Sequence, residues 1–253
     1  MEKKFKFIIA IIVGILVFSL TLSDCVFATI PAQEQYNSII VPEEKNFYNN
    51  DIKFNNLQEK FIEAIDNLND NYCSDIDPKN PYYKNNWVKI IETEGSYYYA
   101  LNFKYIAKKY QKTISNEYYL WLMFLDKTSG SVSDGGLITE TDNIRKYLIF
   151  MENFTKNYPN FVRIDDVKML ELQYRYIYLF GLDNTPIFDQ YDTKKMNLDY
   201  KKSYETFLSK NKDSKYYPMV SEFYNKAKEN NFMWSKTFDD WHLKTFQDKY
   251  FSE

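Results

Sequence analysis

The sequence predicts an all-α fold, built from antiparallel helical hairpins that stack in a bundle or a short α-solenoid. Apolar side chains recur at helical spacing from Ile52 onward. Two long periodic segments follow one another and end at helix-stopping residues, Pro159 and Gly181. Alternating apolar and polar runs joined by hairpin turns accumulate nowhere in the sequence. These three observations favour helices over sheets.

Residues 1–28 have the pattern of a secretory signal peptide. Three lysines precede an apolar run at residues 7–22. Val26 and Ala28 then stand at the two positions that signal peptidase reads, so the segment predicts export. Cleavage after Ala28 would place the mature N-terminus near Thr29.

Two other interpretations of this leader stay open. An uncleaved membrane anchor is one, although the apolar run is shorter than the roughly 20 residues that a spanning helix needs. Lipidation at Cys25 is the other, although Asp24 occupies the position where a lipoprotein signal has a small residue. We therefore expect the protein in the periplasm, at the cell surface or outside the cell, and anchored in a membrane only through a retained leader.

Charge and cysteine content bear on the class of protein. The formal net charge is −3 and no block of lysine and arginine stands out, so a nucleic-acid-binding surface is not indicated. Once the leader is removed only Cys73 remains, so no disulfide can form within the chain. Cys73 is then either a tolerated loop thiol or half of an intermolecular disulfide. The 24 tyrosines and 20 phenylalanines are attributed to base composition and core packing, with a stacking groove as the alternative.

Residues 29–51 predict an extended linker, because they contain two prolines, many polar side chains and no sustained period. The first helix follows from Ile52, where apolar residues share one helical face: Leu57, Phe61, Ala64, Ile65 and Leu68. Polar residues and prolines end this pattern within residues 69–81.

Three further helices are predicted before a glycine-rich loop. Residues 83–94 carry apolar side chains at helical spacing and stop near Gly95, and residues 97–109 form the next helix. Ser115 is the predicted N-cap of a short helix at residues 118–125, which is apolar on every side and is expected to be buried. The loop at residues 129–136 is interpreted as a flexible connection, with a ligand-ordered lid as the alternative.

The clearest pair of helices spans about residues 140–157 and 165–180. The second begins with two acids, and its inner face carries Leu170, Tyr174, Ile177 and Tyr178 before Gly181 at the C′ position. A turn is predicted at residues 183–186, and helices at 198–210, 218–230 and 237–251. Residues 52–253 are thus predicted to form a single helical domain, with a subdivision near 127–139 as the alternative.

Residues 204–227 resemble part of a known repeat. Phe207 lies at the end of one predicted helix, Asp213 and Ser214 lie in a polar turn, and Ala227 is a small residue on the next helix. This order is similar to the helix–turn–helix seam of tetratricopeptide-type repeats in bacterial envelope proteins. The resemblance implies stacked helical hairpins, each of which buries its apolar face against the next.

Residues that usually carry catalysis are scarce. His242 is the single histidine, and with Asp239 three residues before it we interpret it as a surface feature rather than half of a catalytic or metal site. No G-x-S-x-G elbow occurs. Glu94 is the one glutamate for which a glycosidase acid can be constructed, and a solvated helix-end role is preferred. No catalytic, cofactor-binding or metal-ligating residue is therefore assigned.

The sequence thus predicts an exported, non-enzymatic helical protein that binds another envelope protein or a peptide. No cofactor and no nucleic acid are expected. Aromatic anchors for the partner are expected within residues 97–110 and 174–178. A cell-wall-active hydrolase with a carboxylate pair is one alternative, and a solute-binding accessory protein is another.

Overall fold

The structure is a computed structural model that describes residues 50–72, 86–93, 95–189 and 191–251. These residues belong to two compact units. Unit 1 contains those up to Asp134 together with Asn160–Val162, and unit 2 contains Gly135–Pro159 and those from Arg163 onward. Most of the described residues are helical, which confirms the predicted helical character. The leader, the linker up to residue 49, Cys73 and Glu94 lie outside the described residues.

The helices of unit 1 begin close to where the sequence predicts them, with one exception. They are α1 (Asp51–Tyr72), α2 (Phe103–Tyr110) and α3 (Asn116–Thr128), and the strands are β1 (Val88–Thr93), β2 (Ser96–Leu101) and β3 (Val132–Ser133). The predicted N-cap of α3 is confirmed, because the Ser115 hydroxyl accepts a hydrogen bond from the Tyr118 N–H at 3.1 Å. The helix that follows is largely buried, as its apolar composition predicts.

The exception is the region of the two helices predicted at residues 83–94 and 97–109. Within the described residues the first is wrong, because 88–93 form a strand, and the second is confirmed only from Phe103 onward. Strands β1 and β2 form an antiparallel hairpin there, in which Val88 pairs with Leu101 and Thr93 with Ser96. Aromatic and β-branched residues favour the pleated conformation, and Gly95 adopts a φ of +74° in the connection. Helix begins only at Phe103.

The hairpin is fixed to α1 by an asparagine. The Asn69 side chain donates a hydrogen bond to the Tyr99 carbonyl at 3.0 Å and accepts one from the Tyr99 N–H at 2.9 Å. These two bonds satisfy the backbone of a residue that is only 2% exposed. The Asn69 side chain thus bonds to the Tyr99 backbone as a neighbouring strand would.

An aromatic cluster forms the core of unit 1. The Phe61 ring stacks on Trp87 with 4.7 Å between centroids, and Phe54 contacts the edge of Tyr118 at 5.0 Å. The Tyr118 hydroxyl donates to the Gln58 side-chain oxygen at 3.0 Å. The cluster therefore buries large apolar surfaces while the polar tip of the tyrosine keeps a partner.

Unit 2 is a succession of helices. They are α4 (Thr141–Asn157), α5 (Ile164–Phe180), α6 (Leu198–Lys210), α7 (Tyr217–Glu229), α8 (Lys236–Asp240) and α9 (Gln247–Phe251), with a π-helix at Trp241–Phe246. Short strands lie in the connections: β4 (Gly136–Leu137), β5 (Gly181–Leu182) and β6 (Thr185–Pro186). These bounds confirm the predicted helix pair, the turn at 183–186 and the C-terminal helices to within a few residues.

Helix α5 ends at a glycine, as predicted. Gly181 has a φ of +76°, and its N–H bonds to the Ile177 carbonyl. A Cβ at this position would lie 3.0 Å from the Ile187 nitrogen and the Thr185 oxygen. Glycine is therefore required both by its backbone conformation and by the close approach of the β5–β6 turn.

Helix α6 packs on both members of the α4–α5 pair. It lies against α4 and packs on α7, which follows it after a short turn. The Tyr204 hydroxyl of α6 donates to the Tyr178 carbonyl of α5 at 2.6 Å, and the Tyr178 hydroxyl lies 2.9 Å from the Ser203 Oγ. Burial raises the pKa of both phenols, so these hydrogen bonds are made by neutral groups.

Candidate functional site

The single histidine is buried in unit 2, so its prediction as a surface residue is wrong. His242 is 7% exposed, and its ring stacks on Phe180 with 4.2 Å between centroids and 8° between planes. Burial lowers the pKa of His242 to about 4, against a smaller opposing effect of its hydrogen bond with the Leu179 backbone. The imidazole is therefore neutral near pH 7, and among the described residues no ion pair joins it to Asp239.

His242 lies in the π-helix, a rare element that is frequent at functional positions. The Gln247 N–H bonds to the His242 carbonyl, one residue further back than in an α-helix. Both His242 and Phe246 are buried there, and their rings lie 4.9 and 5.7 Å from the Phe223 ring of α7. Ring contacts thus hold the C-terminal segment to α7 as well as to α5.

The Phe180 ring carries a second ring on its other side. Tyr176 of α5 stacks on Phe180 with 4.5 Å between centroids and 12° between planes, and Tyr176 is 43% exposed. Phe251 of α9 meets both rings edge-on, at 6.0 and 5.3 Å. A continuous stack therefore runs from the buried His242 through Phe180 to a tyrosine at the surface.

Two further side chains of α5 extend this surface. The Arg175 guanidinium lies over the Phe251 ring at 4.9 Å from its centroid, and Leu172, one turn before Tyr176, is 36% exposed. We call Leu172, Arg175, Tyr176 and Phe251 the aromatic platform. It is the candidate functional site, because it combines exposed apolar area with rings that packing holds in place.

The predicted aromatic anchors divide between core and surface. Tyr99 and Tyr110 are buried in unit 1, and Tyr174 and Tyr178 are buried in unit 2 on the predicted inner face of α5. Tyr176 lies off that face, since it is two residues from each of its buried neighbours. Within residues 174–178, therefore, Tyr176 is the exposed tyrosine.

Two carboxylates converge on Lys215 in the turn between α6 and α7. Glu152 accepts hydrogen bonds from the Lys215 N–H and the Ser214 hydroxyl, each at 2.6 Å. Glu171, which is 7% exposed, accepts from the Lys215 amine at 3.1 Å with both oxygens. All four oxygens are thus committed to fixing this turn, whereas a glycosidase needs an acid and a second carboxylate facing a cleft.

A surface groove of about 490 Å³ lies beside the segment that follows β6. Its Asp189 carboxylate accepts hydrogen bonds from the N–H groups of Tyr191, Asp192 and Thr193 at 2.8–3.0 Å. These bonds, those of Thr193 and Asp192 foremost, hold the pKa of Asp189 well below its usual range. The carboxylate therefore orders its own loop.

The remaining predicted features stay outside the candidate site. Residues 129–136, expected as a flexible connection, carry the short strands β3 and β4 in place of a featureless loop. Within the described ranges, no three His, Cys, Asp or Glu side chains are grouped so that they could hold a metal ion.

Two further findings complete the description of the chain. Among the described residues, no helix is both long enough and apolar enough to cross a membrane. Comparison with protein-family models, curated proteins and solved structures finds no match to this chain.

Proposed function

We propose that this chain is an exported, non-enzymatic protein of the cell envelope that binds another envelope protein or a peptide through the aromatic platform. The observation that carries the proposal is the stack from His242 through Phe180 to Tyr176. Binding hot spots are enriched in tyrosine and arginine, and side chains already held in the bound position lose little entropy on association. Tyr176 and Arg175 have both properties.

The surroundings of His242 favour binding over acid–base catalysis. Its imidazole is 7% exposed and neutral near pH 7, and its ring stacks on Phe180 and contacts Phe223. A general base must reach a substrate proton directly or through one water. We therefore give His242 a structural role beneath the platform.

We further propose that unit 2 is a short α-solenoid of the tetratricopeptide type. Three contacts support this arrangement: α4 on α5, α6 on α4, and α6 on α7. In such arrays each hairpin covers the apolar face of its neighbour, and an atypical last element closes the stack. The segment from α8 to α9 would be that closing element, and the platform would lie where it meets α5.

Affinity capture with matched tyrosine variants tests the proposed function. The exported protein would be immobilised and exposed to envelope extract, and retained proteins would be identified by mass spectrometry. Tyr176→Ala removes the exposed ring of the platform. Tyr191→Ala is the control, because Tyr191 is a 90% exposed tyrosine of the same unit outside the platform.

The expected result is a partner that the wild type and Tyr191→Ala retain equally and that Tyr176→Ala retains at least tenfold less, as for a binding hot spot. Circular dichroism of each variant would verify that the fold is intact. Equal retention by all three proteins would place the binding surface elsewhere. Retention of nothing by any of them would contradict a protein-binding role.

A further inference from the structure

The chain has three arginines, all in unit 2, and two of them pair with aspartate. Arg145 holds both oxygens of Asp142 in a fork, at 2.6 and 3.0 Å. Arg163 bonds to Asp166 at 2.5 Å. Arginine suits such positions because its planar guanidinium matches the geometry of a carboxylate.

Arg175 differs from the other two. Its guanidinium lies on the Phe251 ring, its Nε is buried without a hydrogen-bond partner, and no carboxylate of the described residues lies within ion-pair distance. Four lysines of α5, the α6–α7 turn and the C-terminal segment do have acidic partners: Lys168–Asp165, Lys215–Glu171, Lys244–Asp240 and Lys249–Glu222. Arg175 thus lies beside the exposed Leu172 and Tyr176 without a carboxylate of the described residues in ion-pair distance.

We infer that the aromatic platform binds an acidic amphipathic segment of the partner protein. Apolar side chains of that segment would cover Leu172 and Tyr176, and an aspartate or glutamate beside them would pair with Arg175. The inference rests on the proposed function and gives the partner its chemistry.

Charge complementarity supports this occupant over a purely apolar or a basic one. An apolar segment that covered the platform would leave the Arg175 charge further desolvated and still unpaired, which is costly. A basic segment would add repulsion. A carboxylate next to apolar side chains satisfies both parts of the surface, because hydrogen bonds between guanidinium and carboxylate are among the strongest in proteins.

Two synthetic amphipathic peptides provide the test. Both have the same leucine and phenylalanine positions, and one carries glutamate where the other carries glutamine. Fluorescence anisotropy of each labelled peptide, titrated with the exported protein, gives the two dissociation constants. We expect the glutamate peptide to bind about tenfold more tightly, which is the size of one charge-assisted hydrogen-bonded pair.

Arginine variants assign that difference to a residue. Arg175→Gln should abolish the preference for glutamate, and Arg175→Lys should keep part of it, because the charge stays while the planar fork is lost. Lys168→Gln is the control on the same helix and should leave the preference unchanged. Its amine pairs with Asp165 and lies outside the platform.

The outcomes separate this inference from the proposed function. Equal binding of both peptides to the wild type would overturn the inference that the partner segment is acidic, and so would a preference for glutamate that persists in Arg175→Gln. The capture experiment with Tyr176→Ala would still test the binding function separately. Failure of both peptides to bind also overturns it. Capture that depends on Tyr176 would then point to a partner of other chemistry.

Discussion

At the scale of single residues, His242 couples the stability of unit 2 to pH. An isolated histidine has a pKa of 6.5, and burial lowers that of His242 to about 4. The unfolded chain therefore binds a proton between these values that the folded chain does not. Stability from this group is complete above the unfolded pKa and falls as the pH drops toward the folded pKa.

The first prediction follows from this difference. Lowering the pH from 6.5 to 4 should reduce the free energy of unfolding of unit 2 by about 3 kcal/mol, from the linkage of protonation to folding. Urea unfolding at a series of pH values measures the change. His242→Phe should fold, because a phenyl ring fits the stack on Phe180, and it should lose the pH dependence of this window.

Carboxylates provide a check on that interpretation. The Arg145 side chain lowers the pKa of Asp142 by hydrogen bonding and by its charge, so this group loses its stabilising effect at lower pH than His242 does. The wild type and His242→Phe should both lose the stabilising effect of Asp142 at that lower pH. If the free energy of unfolding falls as steeply between pH 6.5 and 4 in His242→Phe as in the wild type, a group other than His242 causes the pH dependence.

At the scale of elements, a helix or strand is predicted correctly from the sequence when local residues determine it, and is missed when distant contacts do. The helices α4 and α5 are predicted closely because their own apolar period and their stop signals agree. The β1–β2 hairpin is missed because residues 88–101 also fit a helical spacing. The Tyr99 backbone at its outer edge bonds to Asn69, which lies thirty positions earlier in the chain, so no local sequence pattern predicts this contact.

The candidate site is predictable only in part for the same reason. The sequence indicates aromatic anchors at 174–178, and helical phase separates the buried Tyr174 and Tyr178 from the exposed Tyr176. The contact of Arg175 with Phe251 and the stacking of His242 on Phe180 join residues more than sixty positions apart. Only the folded chain brings them together.

The second prediction tests the link between α1 and the hairpin. Asn69→Ala removes both hydrogen bonds to Tyr99 and leaves a buried N–H and a buried carbonyl without this partner. The free energy of unfolding of unit 1 should fall by about 2 kcal/mol. Urea unfolding measures it.

Glu63→Ala is the matched control for Asn69→Ala. Glu63 is an exposed residue of the same helix, so its replacement should change stability by less than about 0.5 kcal/mol. An unfolding midpoint for Asn69→Ala that equals that of Glu63→Ala would mean that the two hydrogen bonds of Asn69 do not stabilise unit 1.

At the scale of the whole molecule, packing must supply what disulfides supply in many exported proteins. Each unit has its own aromatic cluster, around Trp87 in unit 1 and around Phe180, Phe223 and His242 in unit 2. Aromatic rings bury large areas and add favourable edge-to-face contacts. If the predicted leader is removed, one cysteine remains, and packing of this kind must then supply the stability without a disulfide within the chain.

The third prediction concerns the leader itself. Expression of the full sequence in a secreting bacterial host should yield a protein whose intact mass corresponds to a chain that begins at Thr29, because Val26 and Ala28 occupy the positions that signal peptidase reads. Ala28→Leu should prevent cleavage and leave the full-length chain in the membrane fraction.

A mass that includes residues 1–28 in the wild type would indicate a retained anchor. A mass that begins at Cys25 and carries lipid would indicate a lipoprotein. Either result would place the aromatic platform on a membrane-tethered protein and restrict its partners to those at that membrane.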